Sequence, residues 1–504
     1  MGGSAIDDDL PGSFEARLES WLNRPLHMGL LLLLLIAIGL INALPHMSEA
    51  IWQDEAATLF FHVSRGIVDP FQHYMSANSH IGFTSMLAAW LEFFPSGAGI
   101  IELRLLPLAL FLAAIPVVYF AARRIGGAAC AIISSLAFSA SAVTSNFATQ
   151  LRGYGPSWIF FSSLLLCATN IFSRQHSVAW RLGYVGSCLL AVSILPTNVF
   201  FAALTAAATC VYHWADGVRF DRKSAPGYLL LLLSPGAALL VAYSAVWAEL
   251  MSYRNIGFST WTMAGLLENW LLGTWASFGL IVILAAAGLL FGLRDTLRSA
   301  LDKKQVSPNL LLAFGLVTGL APAIWVIPSL PFPRTLVPYF PVWVIALSYL
   351  ALYGLRVIMQ QRSSGSLAYA FTFFLLPAWA FSPLAGCRSD SGARGAFDYD
   401  LCYQYFRDDY HPARILDAWA TTEPRGLPIV TDFEGYFALK VLQSPADVSE
   451  YRNYQPFGKP APLLVAHGKP ELDRMATQLG LSPSAYVLIV DTGYFKMYGP
   501  AAPP

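Results

Sequence analysis

Apolar residues come along this chain in repeated unbroken runs of membrane length. They cover residues 27–45, 103–122, 128–148, 155–172, 182–196, 198–214, 227–248, 273–293, 309–328, 336–356 and 367–384. A helix needs about 20 such residues to cross a hydrocarbon layer of about 30 Å, so each run predicts a transmembrane helix. Residues 81–94 are apolar as well, but about fourteen residues are short for a crossing. From about Pro383 the pattern changes. Short β-type runs at Pro428–Thr431, Leu463–Ala466 and Tyr486–Val490 alternate with helical stretches near 410–421, 434–442 and 470–480, which predicts a small α/β domain.

Charge decides the topology. If 81–94 does not cross, fifteen Lys and Arg fall on one side of the membrane, from Arg17 and Arg24 through Arg123, Arg124, Arg294 and Arg298 to Arg356 and Arg362. The opposite side then receives only five before the C-terminal region: Arg65, Arg104, Arg152, Arg254 and Arg334. Cytoplasmic loops carry the excess of basic residues, whereas a crossing at 81–94 would invert every later loop. The expectation is eleven spans, a cytoplasmic N-terminal segment 1–26 and a transmembrane domain 27–384. Within that domain 46–102 forms one long external loop containing membrane-lying helices, and 385–504 forms an extracytoplasmic domain.

Composition agrees with this class. The chain is 56% hydrophobic and 12% charged, with a formal net charge of zero, which implies no nucleic-acid partner. The apolar stretch from His27 to Leu44 is long enough to be a retained first helix rather than a cleaved signal. Cys130, Cys167, Cys188 and Cys210 lie inside apolar runs and read as small core residues. Cys387 and Cys402 lie in the polar stretch and are placed to form a disulfide if that side is oxidising. No Cys/His spacing resembles a zinc site, and no glycine-rich phosphate loop or internal repeat is visible.

In so uncharged a chain, the adjacent carboxylates Asp54 and Glu55, about ten residues beyond the first span, are candidates for chemistry. Asp54 also suits a helix N-cap, and Glu55 a helix dipole or an arginine partner. The five outer arginines share their face of the membrane. An arginine near apolar surroundings must snorkel or pair, and its forked donors match phosphate oxygens. Asn78 and His80 stand just before the short apolar helix. Arg152 and Tyr154 lie between glycines in Leu151-Arg152-Gly153-Tyr154-Gly155, which also suits an interfacial anchor with turn glycines. Arg254 lies in the outer loop 249–272, and Arg334 in the proline-rich Pro331-Phe332-Pro333-Arg334-Thr335-Leu336-Val337-Pro338, also readable as a stiff turn.

At these residues the chain resembles the GT-C glycosyltransferases, in the broad group of protein O-mannosyltransferases, bacterial aminoarabinose transferases and Rgt-type lipopolysaccharide transferases. The resemblance runs from residue 27 to about 356. Asp54-Glu55 is similar to that group's acidic pair in the first external loop. Asn78-Ser79-His80-Ile81-Gly82 sits where members carry a histidine or lysine followed by two prolines, here replaced by Ile81 and Gly82. Arg104-Leu105-Leu106-Pro107, Leu151-Arg152-Gly153-Tyr154 and Arg334-Thr335-Leu336-Val337-Pro338 resemble later motifs in the same order.

The resemblance implies a sugar donor carried on a polyprenyl phosphate, an acceptor hydroxyl on a glycan, lipid or protein, and transfer with inversion on the extracytoplasmic face of a bacterial inner membrane. Asp54 would be the general base, with Glu55 beside it. Arg152, Arg254, Arg334 and His80 would meet the donor phosphate, and Arg104, Tyr154 and Asn78 the substrate. No obligate cofactor or metal is expected, though a divalent ion at Glu55 remains open. The other reading is a transporter or flippase of an anionic lipid, with the arginines as its track.

Overall fold

The computed structural model describes residues 14–48, 51, 53–61, 63–74, 79–95, 98–173, 177–254, 262–302, 305–326, 333–360, 412–421, 427–431, 439, 447–451, 461–492 and 495–501. The protein is a helical polytopic membrane protein with a small C-terminal sheet. Among the described residues, five helical stretches are long and apolar enough to cross a membrane: Pro25–His46, Ile100–Ala140, Ala225–Ser252, Pro308–Trp325 and Arg334–Ile358. Ile81–Leu91, Ser157–Asn170 and Val178–Ile194 are apolar but shorter. The expected span at 367–384 and the Cys387–Cys402 pair lie outside the described residues.

The runs expected as two spans, 103–122 and 128–148, form two helices that meet at a kink at Gly127 within Ile100–Ala140, and they fold back so that the Phe111 and Phe138 rings lie 5.6 Å apart. Gly127 takes φ 76°, a left-handed conformation that a side chain would resist. The helix that restarts there is capped from a distance. Glu19, on the N-terminal helix Phe14–Leu22, accepts the Ala128 N–H at 2.6 Å through one oxygen and pairs with Arg123 at 2.7 Å through the other. Arg123 also donates to Asn23 Oδ1 at 2.8 Å.

The expected helix 128–148 stops early, at Ala140. Ser141 leaves helical geometry and caps the short helix Ala142–Phe147, accepting from the Thr144 N–H at 3.1 Å. Thr144 Oγ1 turns back to the Phe138 carbonyl at 2.6 Å, so hydroxyls compete locally with the helix ladder. The end of the first helix is stitched to this break. Asn42 donates to the Ser139 and Ser141 carbonyls at 3.2 and 3.3 Å, and His46 Nε2 meets Ser145 Oγ at 2.8 Å.

Helices Met263–Leu301 and Phe340–Gln360 pack through glycines. A Cβ on Gly288 would lie 1.9 Å from the Leu350 carbonyl oxygen, an approach only glycine permits. Tyr353 locks the same pair by donating to Asp295 Oδ2 at 2.7 Å.

Contacts divide the chain into two compact units: Met1–Met47 with Gly66–Tyr403, and Ser48–Arg65 with Gln404–Pro504. The second contains a five-stranded sheet in the order β2-β1-β3-β5-β4, with β1 Ile429–Thr431, β2 Val448–Glu450, β3 Leu463–Ala466, β4 Tyr486–Asp491 and β5 Lys496–Pro500. The first three strands run parallel, and β5 runs antiparallel to both β3 and β4. Alternate strand residues bury on opposite faces. Ile429, Leu463, Val465 and Met497 pack with Ile415 of helix Pro412–Thr421, while Val430, Leu464 and Tyr498 pack with Leu472 and Met475 of helix Lys469–Gln478. Both helices and β1, β3 and β4 fall where the sequence placed them, whereas β2 and β5 were not foreseen. The expected helix at 434–442 lies almost wholly outside the described residues.

Candidate active site

From Ala148 to Pro156 the chain is neither helix nor strand, yet every residue is buried. In a membrane protein such backbone persists only where protein satisfies it or where it lines a cavity. Here the partners are specific. Arg104 Nη1 donates to the Thr149 carbonyl at 2.9 Å, and the Ser157 hydroxyl and amide both reach the Gly153 carbonyl, at 2.6 and 3.1 Å. The Trp158 amide donates to the Gly155 carbonyl at 3.0 Å, and Asn198 Nδ2 reaches Ser157 Oγ at 3.4 Å. Helix Ser157–Asn170 begins directly after this segment. Its 14 residues are about 21 Å of helix, so the irregular stretch replaces the first turn of the expected 155–172 span.

The two glycines are required by close approach. A Cβ on Gly153 would fall 2.1 Å from Ile194 Cγ2 and 3.1 Å from His80 Nδ1, and one on Gly155 would fall 2.2 Å from the Phe147 carbonyl oxygen. Between them stands Tyr154. Its ring carries the Arg152 guanidinium over one face at 4.7 Å from the centroid and meets His80 edge-on, with centroids 5.0 Å apart at 80°. Arg152 is 1% exposed, and His80 and Arg104 are fully buried. A buried guanidinium is costly, and stacking on an aromatic face recovers part of that cost.

His80 is delivered by the start of helix Ile81–Leu91, where its carbonyl accepts the Thr84 N–H at 2.8 Å. Gly82, one of the two residues standing in place of prolines, lets this helix approach Ser193, whose Oγ would lie 2.3 Å from a Cβ there. Most of that helix is buried, with Ile81, Phe83 and Leu87 fully enclosed, and its apolar residues surround the whole helix rather than one stripe.

Arg334 is half-buried on the 3-10 segment Pro333–Tyr339. That segment docks on the helix following the irregular stretch: Trp158 Nε1 donates to the Val337 carbonyl at 2.7 Å. The structure thus brings together Arg152, Tyr154 and His80, joins Arg104 to them through Thr149, and ties the Arg334 segment to the same helix start. Arg254 ends helix Trp247–Arg254, but its side chain, like all of Asn78, lies outside the described residues.

Asp54 and Glu55 occupy the first turn of helix Gln53–Phe61 in the second unit, where carboxylates suit the helix dipole. Glu55 is fully buried, Asp54 is half-buried, and the Asp54 carbonyl accepts from Thr58 Oγ1 at 3.0 Å. Among the described residues no group of three or more His, Cys, Asp or Glu side chains is placed to hold a metal ion.

Trp158, Thr149, Ser157 and Asn198 were not singled out from the sequence. Trp158 sits in an apolar run and reads as core, Thr149 acts through its carbonyl, which leaves no compositional trace, and Ser157 and Asn198 are single small polar residues at the edges of apolar runs.

No family model matches the chain, and no curated protein matches it in sequence. Solved structures do match. ArnT from Cupriavidus metallidurans bound to undecaprenyl phosphate aligns over 94% of this chain and 99% of its own, at TM-score 0.55 and 14% identity. The apo form of the same protein gives TM-score 0.54 over the same shares. The Archaeoglobus fulgidus oligosaccharyltransferase in its apo form aligns over 93% of this chain and 73% of its own, at TM-score 0.52 and 12% identity. The fold is the GT-C fold. Within the GT-C fold of this chain, the buried 148–156 stretch and the helix start at His80 are the segments that hold the predicted polar residues together.

Proposed function

We propose that the protein is an inverting glycosyltransferase that moves a sugar from a polyprenyl-phosphate donor to an acceptor hydroxyl. The observation that carries this reading is the buried Arg152, Tyr154 and His80 cluster on irregular backbone inside a GT-C fold. An arginine kept from water with an aromatic platform behind it is chemistry suited to a phosphate head reached from the bilayer. The likeness to a protein solved with undecaprenyl phosphate supports the same donor class.

In the reaction, Asp54 takes the proton of the acceptor hydroxyl as its oxygen attacks the anomeric carbon. The bond from that carbon to the phosphate oxygen breaks, and the lipid phosphate leaves with the electron pair. Arg152, Arg254 and Arg334, with His80, meet the negative charge that gathers on the leaving phosphate. Arg104 holds the loop through Thr149 and, with Tyr154 and Asn78, faces the substrate. Glu55 sits beside the base to orient the acceptor. The distribution of Lys and Arg supports an extracytoplasmic site in a cell inner membrane, eleven spans, and an accessory extracytoplasmic domain near 385–504.

Purified protein incubated with a panel of lipid-phosphate sugars tests the reading, with released lipid phosphate as the readout. Asp54→Asn is expected to reach the membrane normally and release none. Wild-type-like turnover in that variant rules out the base. A wild-type protein that moves donor lipid across the bilayer without releasing lipid phosphate is a transporter.

A further inference from the structure

Within the membrane unit, the first external segment is fastened at Tyr74. Its backbone N–H donates to Oε2 of Glu249, and its ring stands edge-on to Tyr243, with centroids 6.2 Å apart at 69°. The Tyr243 hydroxyl in turn donates to the carbonyls of Val192 and Ser193 at 3.2 and 3.1 Å. Ser193 is the residue that Gly82 packs against, and Ile194 the one that Gly153 packs against. One junction therefore gathers the segment leading to His80, the end of the helix that closes against the Arg152 loop, and the start of helix Trp247–Arg254.

Glu249 lies in the first turn of that helix, and Arg254 ends it. A carboxylate in a first turn is already served by the local N–H groups. Glu249 is instead turned to an amide 175 residues away in sequence, in a charge-assisted hydrogen bond of the stronger kind.

We propose that Glu249 is a positioning residue for the donor-phosphate site. By accepting the Tyr74 N–H it holds the Arg254-bearing helix against the segment that delivers His80, and so fixes the spacing between two groups assigned to the phosphate. The inference rests on the transferase reading above. It requires the acceptor oxygen of Glu249, and the charge strengthens the bond.

Glu249→Ala and Glu249→Gln in the full-length protein, reconstituted in lipid nanodiscs, separate the possibilities. Two readouts are needed: hydrogen exchange at the Tyr74 amide by mass spectrometry, and steady-state kinetics on a polyprenyl-phosphate sugar. Loss of a hydrogen bond to a charged group predicts faster exchange in Glu249→Ala and a donor KM raised roughly tenfold or more, with kcat changed less. Glu249→Gln keeps an acceptor oxygen without the charge and is expected to recover both in large part. A Gln variant as impaired as Ala overturns the proposal, because charge rather than positioning is then in use. So does an Ala variant with wild-type KM, or with unchanged exchange. If wild-type protein releases lipid phosphate from no donor, the transferase reading falls and the positioning role with it, and the exchange data still establish whether the clasp exists.

Discussion

Gly155→Ala is the sharpest perturbation the structure offers. The added Cβ would lie 2.2 Å from the Phe147 carbonyl oxygen and 3.1 Å from its carbon. Ordinary contact is about 3.5 Å, so relief takes a movement of about 1 Å. The obstacle is backbone, which no rotamer change removes. Overpacking of this kind costs about 1–3 kcal/mol. The functional cost is larger, because the segment that must yield carries Arg152 and Tyr154, and a displacement of about 1 Å at a reacting site lowers rate on the order of 100-fold. Gly186→Ala is the matched control. It lies within helix Ser177–Ile194 with nothing within 4 Å of the new atom, and should leave activity unchanged while gaining up to about 1 kcal/mol from helix propensity. Both variants would be followed by thermal unfolding of the purified protein and by release of lipid phosphate. A Gly155→Ala protein with the control's turnover and unfolding midpoint would refute the view that this irregular segment is held to sub-ångström tolerance.

Three further outcomes are expected. Arg152→Lys keeps the charge but loses the fork and the platform over Tyr154, so kcat/KM should fall roughly 10- to 100-fold while the variant remains as abundant in membranes as wild type; unchanged kinetics would remove Arg152 from the phosphate site. Glu19→Ala deletes the cap on Ala128 and the partner of Arg123, and should lower stability by about 1–2 kcal/mol, seen as a reduced unfolding midpoint with activity per folded molecule unchanged. Gly288→Val drives a side chain into the Leu350 carbonyl and should separate helices Met263–Leu301 and Phe340–Gln360, costing at least about 1–3 kcal/mol, whereas an unaltered midpoint would show that the two helices adjust freely.

The membrane class, the C-terminal α/β pattern and most span positions were legible because hydrocarbon imposes long apolar runs that little else in a sequence imitates. The break at Ser141 was hidden for the same reason. Ser141 and Thr144 are small enough to pass unnoticed inside an apolar run, and only the Thr144 hydroxyl's bond to the Phe138 carbonyl and the Ser141 hydroxyl's bond from the Thr144 amide reveal a helix end. β5 was not foreseen, Gly499 and Pro500 being poor strand formers, yet it pairs with both β3 and β4. At the site, Arg152, Tyr154 and His80 stood out as polar residues in apolar surroundings, and they do meet. Arg104's bond to the Thr149 carbonyl and Glu249's bond to the Tyr74 amide could not be read, since their partners are backbone groups that every residue possesses.

The carboxylate of Glu19 has a consequence for how the molecule is made. Synthesis produces the N-terminal helix first, and the amide it seals, that of Ala128, follows 109 residues later. Until then the acid waits beside a first span with no job there, and the hairpin that turns at Gly127 enters the bilayer with its second arm unsealed. The second arm of that hairpin is sealed by a side chain translated 109 residues before the amide it meets. A protein shortened at its start for convenience of expression would lose that last step, and its defect would surface at the bend around Gly127, far along the chain from the cut.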